Sequence, residues 1–145
     1  QSAEDAEPIE EKIDAAFRQS GSASVDLLMG RAKEAVAGGD AKTAATIAAA
    51  VNKLAPDHAE GWRLRAMLDA AAGADSAAML ALQKAISLNP RYLGALAELA
   101  GMLEDYGDKA GALKLYRQVL ALSPRNAAAT NRVRALSRDV EGQGI

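Results

Sequence analysis

The chain has 145 residues, half of them apolar and a quarter charged, with a net charge of −2, which is the size and balance of a single ordinary globular domain. The near-neutral charge gives no global basic field for nucleic acid. No run approaches the roughly 20 apolar residues of a membrane span, and the lack of cysteine removes disulfides and thiolate metal sites.

Residues 1–24 read as an acidic N-terminal extension. Six acids, Glu4, Asp5, Glu7, Glu10, Glu11 and Asp14, face only Lys12 and Arg18 over the first 19 residues. From Pro8, Ile9, Ile13, Ala16 and Phe17 fall at helical spacing and predict a short amphipathic helix. Ser20 to Ser24 then read as a flexible linker. The stripe of Ile9, Ile13 and Phe17 is an expected oligomer contact unless it folds back on its own chain. Gln1 followed by a short polar stretch resembles the start of a chain trimmed after export, so the expected location is a bacterial periplasm or the exterior, and the cytoplasm if the start is only a boundary of another origin.

Residues 25–58 are expected to form a helix pair. Ser24 is the expected cap of a helix whose inner face offers Leu28, Ala32, Ala35 and Val36. Gly38 and Gly39 end it, and Asp40 caps a partner carrying Ala44, Ile47, Ala48, Val51 and Leu54. Residues 59–92 repeat the plan: Asp57 and Glu60 stand at capping-box spacing, Trp62, Ala66 and Leu68 face inward, Gly73 breaks the helix, and the partner carries Ala78, Leu82, Ala85, Ile86 and Leu88. Residues 93–126 are the clearest copy, with Leu96, Leu99, Ala100 and Leu103, then Gly107 and Asp108 at the turn, then Ala112, Leu113, Tyr116, Val119 and Leu120.

Pro56, Pro90 and Pro124 close the three pairs at a spacing of 34 residues, and a fixed period of this size marks stacked supersecondary units. Residues 127–145 supply a last helix with Ala129, Val133, Leu136 and Val140 on one side and Arg132, Arg134 and Arg138 mostly elsewhere. A polar outer face is what the end of an open stack needs. The alternative use for these arginines is pairing with the acidic N-terminus of another copy.

The in-register sets Leu28, Ala32, Gly39, Ala44, Ala48, Pro56; Trp62, Ala66, Gly73, Ala78, Leu82, Pro90; and Leu96, Ala100, Gly107, Ala112, Tyr116, Pro124 resemble the tetratricopeptide repeat. Arg31, Arg65, Asn52 and Asp69 depart from it, and Arg65 and Asp69, four apart on one helix, are expected to pair. The resemblance implies an all-α, right-handed α-solenoid of antiparallel helix pairs whose first helices line a peptide-binding concave groove. Carried over position by position, the groove residues are Met29, Lys33, Val36, Arg63, Met67, Ala70, Ala97, Gly101, Glu104 and Asp105. A variant of the family grips a C-terminal carboxylate with Lys, Asn and Arg side chains. The corresponding positions here are Met29, Lys33, Leu64, Gly94 and Glu98, which implies that this clamp is missing.

For catalysis the inventory is short. His58 is the only histidine, too few ligands for a transition-metal site, and no glycine-rich phosphate loop follows a strand because no strand is predicted. The reading is therefore a non-catalytic protein-interaction module without cofactor or metal, binding an extended or helical segment of a protein partner. Two other classes stay open: a self-assembling adaptor using the N-terminal helix, and a hydrolase using Glu98, Glu104 and Asp105.

Overall fold

The computed structural model describes residues 20–142. They form seven helices: α1 Ser20–Ala37, α2 Ala41–Leu54, α3 Ala59–Ala71, α4 Asp75–Leu88, α5 Leu93–Asp105, α6 Lys109–Leu122 and α7 Ala127–Val140. The expected helix of residues 8–18, with Ile9, Ile13 and Phe17, lies outside the described residues. By packing, the chain divides into two compact units, Gln1–Gly61 and Trp62–Ile145, with the boundary inside α3.

In the first unit α1 packs on α2, and Val25, Met29 and Ala32 of α1 and Ala44, Ala48 and Val51 of α2 are all buried. The expected linker at Ser20 to Ser24 is instead the first turn of α1, so Ser24 is inside the helix rather than its cap. Serine and glycine cost a helix only about 0.5–1 kcal/mol each relative to alanine, and extending an existing helix is far easier than nucleating one. A Cβ on Gly61 would lie 2.8 Å from Val51 Cγ1, so the start of α3 approaches α2 as closely as only glycine permits.

Among the described residues of the second unit, α3 to α7 build three linked clusters. Ala66 meets Ala78, Leu82 and Ala85 of α4 and Ala95 and Leu99 of α5; Leu96 meets Val119 of α6 and Ala129 of α7; Ala112 and Leu113 meet Leu136. Alanines dominate the contact lines, which lets adjacent helices approach with little side chain between them.

The turns repeat with the period. After α1, Gly39 N–H donates to Val36 O at 3.0 Å and Asp40 N–H to Ala35 O at 2.8 Å; Gly107 and Asp108 make the same pair of bonds to Glu104 and Leu103, at 2.9 Å each. This is the Schellman closure, and it needs a left-handed residue; Gly39, Gly73 and Gly107 supply it with φ of 78, 80 and 88°. The residue after the motif then starts the partner helix. Asp40 and Asp108 accept from the backbone N–H of Thr43 and Gly111 at 3.1 and 2.9 Å, while at Gly73 the cap position is Ala74 and Asp75 is already helical. Each second helix ends in a turn with proline at its second position, as where His58 N–H donates to Ala55 O at 3.0 Å around Pro56.

Candidate peptide-binding groove

In the second unit, α3 and α5 are the first helices of successive pairs, and a groove of about 370 Å³ is lined by both. Ala66, Met67 and Ala70 line it from α3, Glu98, Gly101, Met102 and Asp105 from α5, and Leu82 of α4 forms floor. Four residues singled out from the sequence, Met67, Ala70, Gly101 and Asp105, meet here. The space at Gly101 is real: the nearest atom to a Cβ built there is Tyr116 Oη, at 3.8 Å. Met67 is 47% exposed, so an unbranched, polarisable side chain stands ready to repack around a ligand. Met102 and Leu82 were not expected as lining; Met102 follows Gly101 directly on α5, which is the signal that could have found it.

Arg63 is not an open groove cation. Its Nε donates to Glu98 Oε1 at 2.9 Å and its Nη2 to the same oxygen, while the guanidinium lies 5.4 Å from the Tyr92 ring centroid. The bond to Glu98, followed by Tyr92, raises its pKa above the usual guanidinium value, so the charge is permanent. Glu104 is likewise engaged: Arg132 of α7 donates to both its oxygens, through Nε at 3.1 Å and through Nη2. The last helix is thus tied to its own unit, with Lys109 to Asp139 at 3.1 Å as a second tie, and Arg132 is not held for another copy. Tyr116 lies beside this pair. Burial first, then the Glu104 charge, pushes its phenol pKa up, and Arg132 opposes the shift.

No family model matches the chain. Over 137 residues it is 29% identical to a TPR repeat-containing protein of Rhizobium etli, spanning 94% of this chain and 67% of that protein. The crystal structure of MamA superimposes with a TM-score of 0.72 at 21% identity, covering 99% of this chain and 86% of that one. The first TPR of Spaghetti (RPAP3), solved bound to the HSP90 peptide SRMEEVD, gives a TM-score of 0.72 at 22% identity over 80% of this chain and 92% of that one. With the 34-residue period and its recurring turns, these likenesses decide the fold. This chain has the tetratricopeptide-repeat fold.

The remaining expectations can be placed on the repeats. In the first, Met29 is only 5% exposed: it packs in the core and drops out of the open groove set, because α1 turns it inward with Val25 and Ala32, at i−4 and i+3. Lys33 and Val36 are exposed on α1. In the third repeat, Ala97 packs at the edge of the Leu96 cluster and is half-buried. At the positions of the carboxylate clamp, Met29 and Leu64 are each buried within their own unit, Gly94 lies under the Arg63 guanidinium and Glu98 holds that guanidinium. Only Lys33 is a cation there.

Among the described residues, no group of three or more His, Asp or Glu side chains is placed to hold a metal ion, and no helix is long and apolar enough to cross a membrane. His58 Nε2 stands 4.0 Å from Glu60 Oε2, and α3 begins at Ala59, one residue later than a cap at Asp57 requires. The expected Arg65 and Asp69 pair forms at 3.8 Å, at the edge of a second cleft of about 320 Å³ beside Trp62, Leu80 and Lys84.

Proposed function

We propose that this tetratricopeptide-repeat chain is a non-catalytic interaction module that seats a peptide segment of a protein partner in the groove between α3 and α5. The observation that carries the reading is the groove itself: an open, largely apolar channel of about 370 Å³, within the size range of ligand sites, at a glycine whose missing side chain the fold does not require. The RPAP3 domain, of the same fold, is bound to an HSP90 peptide in its solved structure, which supports a peptide as the kind of ligand. The carboxylate clamp positions differ, so the segment is held along its length and not by its C-terminal carboxylate.

The test is selection of binders from a random peptide library, read by methyl NMR of the four methionines. Bound peptides shift Met67 and Met102 and leave buried Met29 in place. Gly101→Phe fills the groove and abolishes the shifts while helix content stays unchanged. Binders that shift neither Met67 nor Met102, or that survive Gly101→Phe at full affinity, would remove the reading.

A further inference from the structure

The charged residues that line the groove are all acidic, with Arg63 paired to one of them from outside the lining. The lining includes two carboxylates, Glu98 and Asp105, and no cation. They lie seven residues apart on α5, two helical turns or about 10.5 Å along the axis, on either side of Gly101. Arg63 places both of its bonds on Glu98 Oε1, so Oε2 takes none from it, and Asp105 is exposed at the far end. Glu104, the third acid of this helix, is occupied by Arg132 and contributes nothing to the rim.

We infer that the occupant is a basic and apolar segment: apolar side chains seated on Met67 and Met102, flanked by two Lys or Arg side chains that reach Glu98 Oε2 and Asp105. The inference rests on the groove reading above and adds the ligand's polarity to it. A polyproline II segment has three residues per turn and rises about 3.1 Å per residue, so cations three positions apart lie on one face about 9.3 Å apart and match the two carboxylates. This is the opposite polarity to a segment gripped by cations. An acidic segment would bring like charge to the Asp105 end of the channel, where no arginine offsets it as Arg63 does at Glu98, and charge juxtaposition of that kind selects against partners more strongly than it adds affinity for the right one.

Three fluorescent peptides test it, each with two leucines between flanking residues that are both Lys, both Gln or both Glu, measured by anisotropy and by the Met67 and Met102 methyl shifts. The expected order is Lys tightest, at least tenfold over Gln, with Glu weakest, and the Lys advantage shrinking as salt rises. Asp105→Asn, which leaves the Arg63–Glu98 pair in place, reduces the Lys advantage severalfold and leaves the Gln peptide unchanged. Equal binding of the Lys and Glu peptides with both methyls shifted overturns the polarity and leaves the groove standing. A Lys advantage that survives both Asp105→Asn and Glu98→Gln overturns it as well. Failure of all three peptides to shift the methyls overturns this proposal, and only the absence of any groove-dependent library binder removes the reading beneath it.

Discussion

Arg63 on α3 and Glu98 on α5 are 35 positions apart and joined side chain to side chain, Nε to Oε1 at 2.9 Å, with the guanidinium stacked on Tyr92 and lying over the bare Cα of Gly94. A Cβ at Gly94 would come 2.8 Å from Arg63 Cζ, so this glycine and this arginine share one space.

Both partners are about 40% exposed, so solvent screening keeps the ion pair below about 1 kcal/mol. Arg63→Ala is expected to lower stability by less than that in urea unfolding. Gly94→Ala tells more. In the wild type the gain in helix propensity, about 0.5–1 kcal/mol, is offset by displacement of Arg63, and the net change is close to zero. In an Arg63→Ala background the same change stabilises. A double-mutant cycle measures the coupling, and strict additivity would mean that the two residues do not compete.

Leu96 is 0% exposed at the junction of α5, α6 and α7, and Leu80, on α4, is 66% exposed. Leu96→Ala is expected to cost about 2–5 kcal/mol through lost burial and the cavity left behind. Leu80→Ala stays within about 0.5 kcal/mol. The comparison holds residue type constant, so comparable losses from denaturant midpoints would contradict the assignment of Leu80 to the surface of the second unit.

The period made the helices and turns legible. Gly39, Gly73 and Gly107 are 34 positions apart, and each ends a helix for the same reason, a left-handed backbone closing a Schellman motif. Side chains that reach between repeats were harder. Arg63 to Glu98 and Glu104 to Arg132 join α3 to α5 and α5 to α7, at separations of 35 and 28 residues, and reading one helical face at a time gives no hint of them. Setting repeats side by side would have, since position i then neighbours positions near i + 34. Met29 was misread because a groove position carried over from a family presumes a fixed helix rotation, and in α1 that position packs inward. Ser20 to Ser24 was misread because a Ser and Gly composition describes a linker only when no adjoining helix extends through it.

Two of the capped helices, α2 and α7, should respond differently to acid. Asp40 accepts from Thr43 N–H and, at 2.6 Å, from Thr43 Oγ1, and these bonds, side chain first, lower its pKa. A depressed carboxyl pKa means the stabilisation is present above the unfolded value and is lost as pH falls through the folded one. Asp40→Asn therefore flattens the acid limb of the stability profile relative to wild type. Asn126, which accepts from Ala129 N–H at 2.9 Å, carries no charge. Asn126→Ala is expected to cost about 1 kcal/mol at neutral and acid pH alike, measured by thermal unfolding across pH. An acid limb that Asp40→Asn leaves unaltered would place that dependence on other carboxylates.

Tyr116 reports on the tie between α5 and α7. Its phenol pKa is pushed up by burial, then by the Glu104 charge, with Arg132 pulling the other way. A raised tyrosine pKa favours the neutral form, so its stabilisation is present below the ordinary value of about 10 and is lost as pH rises through the folded value. The wild-type minus Tyr116→Phe difference in phenolate absorbance is expected to have its midpoint above that ordinary value. Glu104→Gln removes the repelling charge and moves the midpoint down. Arg132→Met removes the opposing cation, leaves the carboxylate uncompensated and moves the midpoint up. The two substitutions break the same ion pair yet predict opposite shifts, which separates the field at Tyr116 from mere loosening of α7, since loosening would expose the ring and lower the midpoint in both.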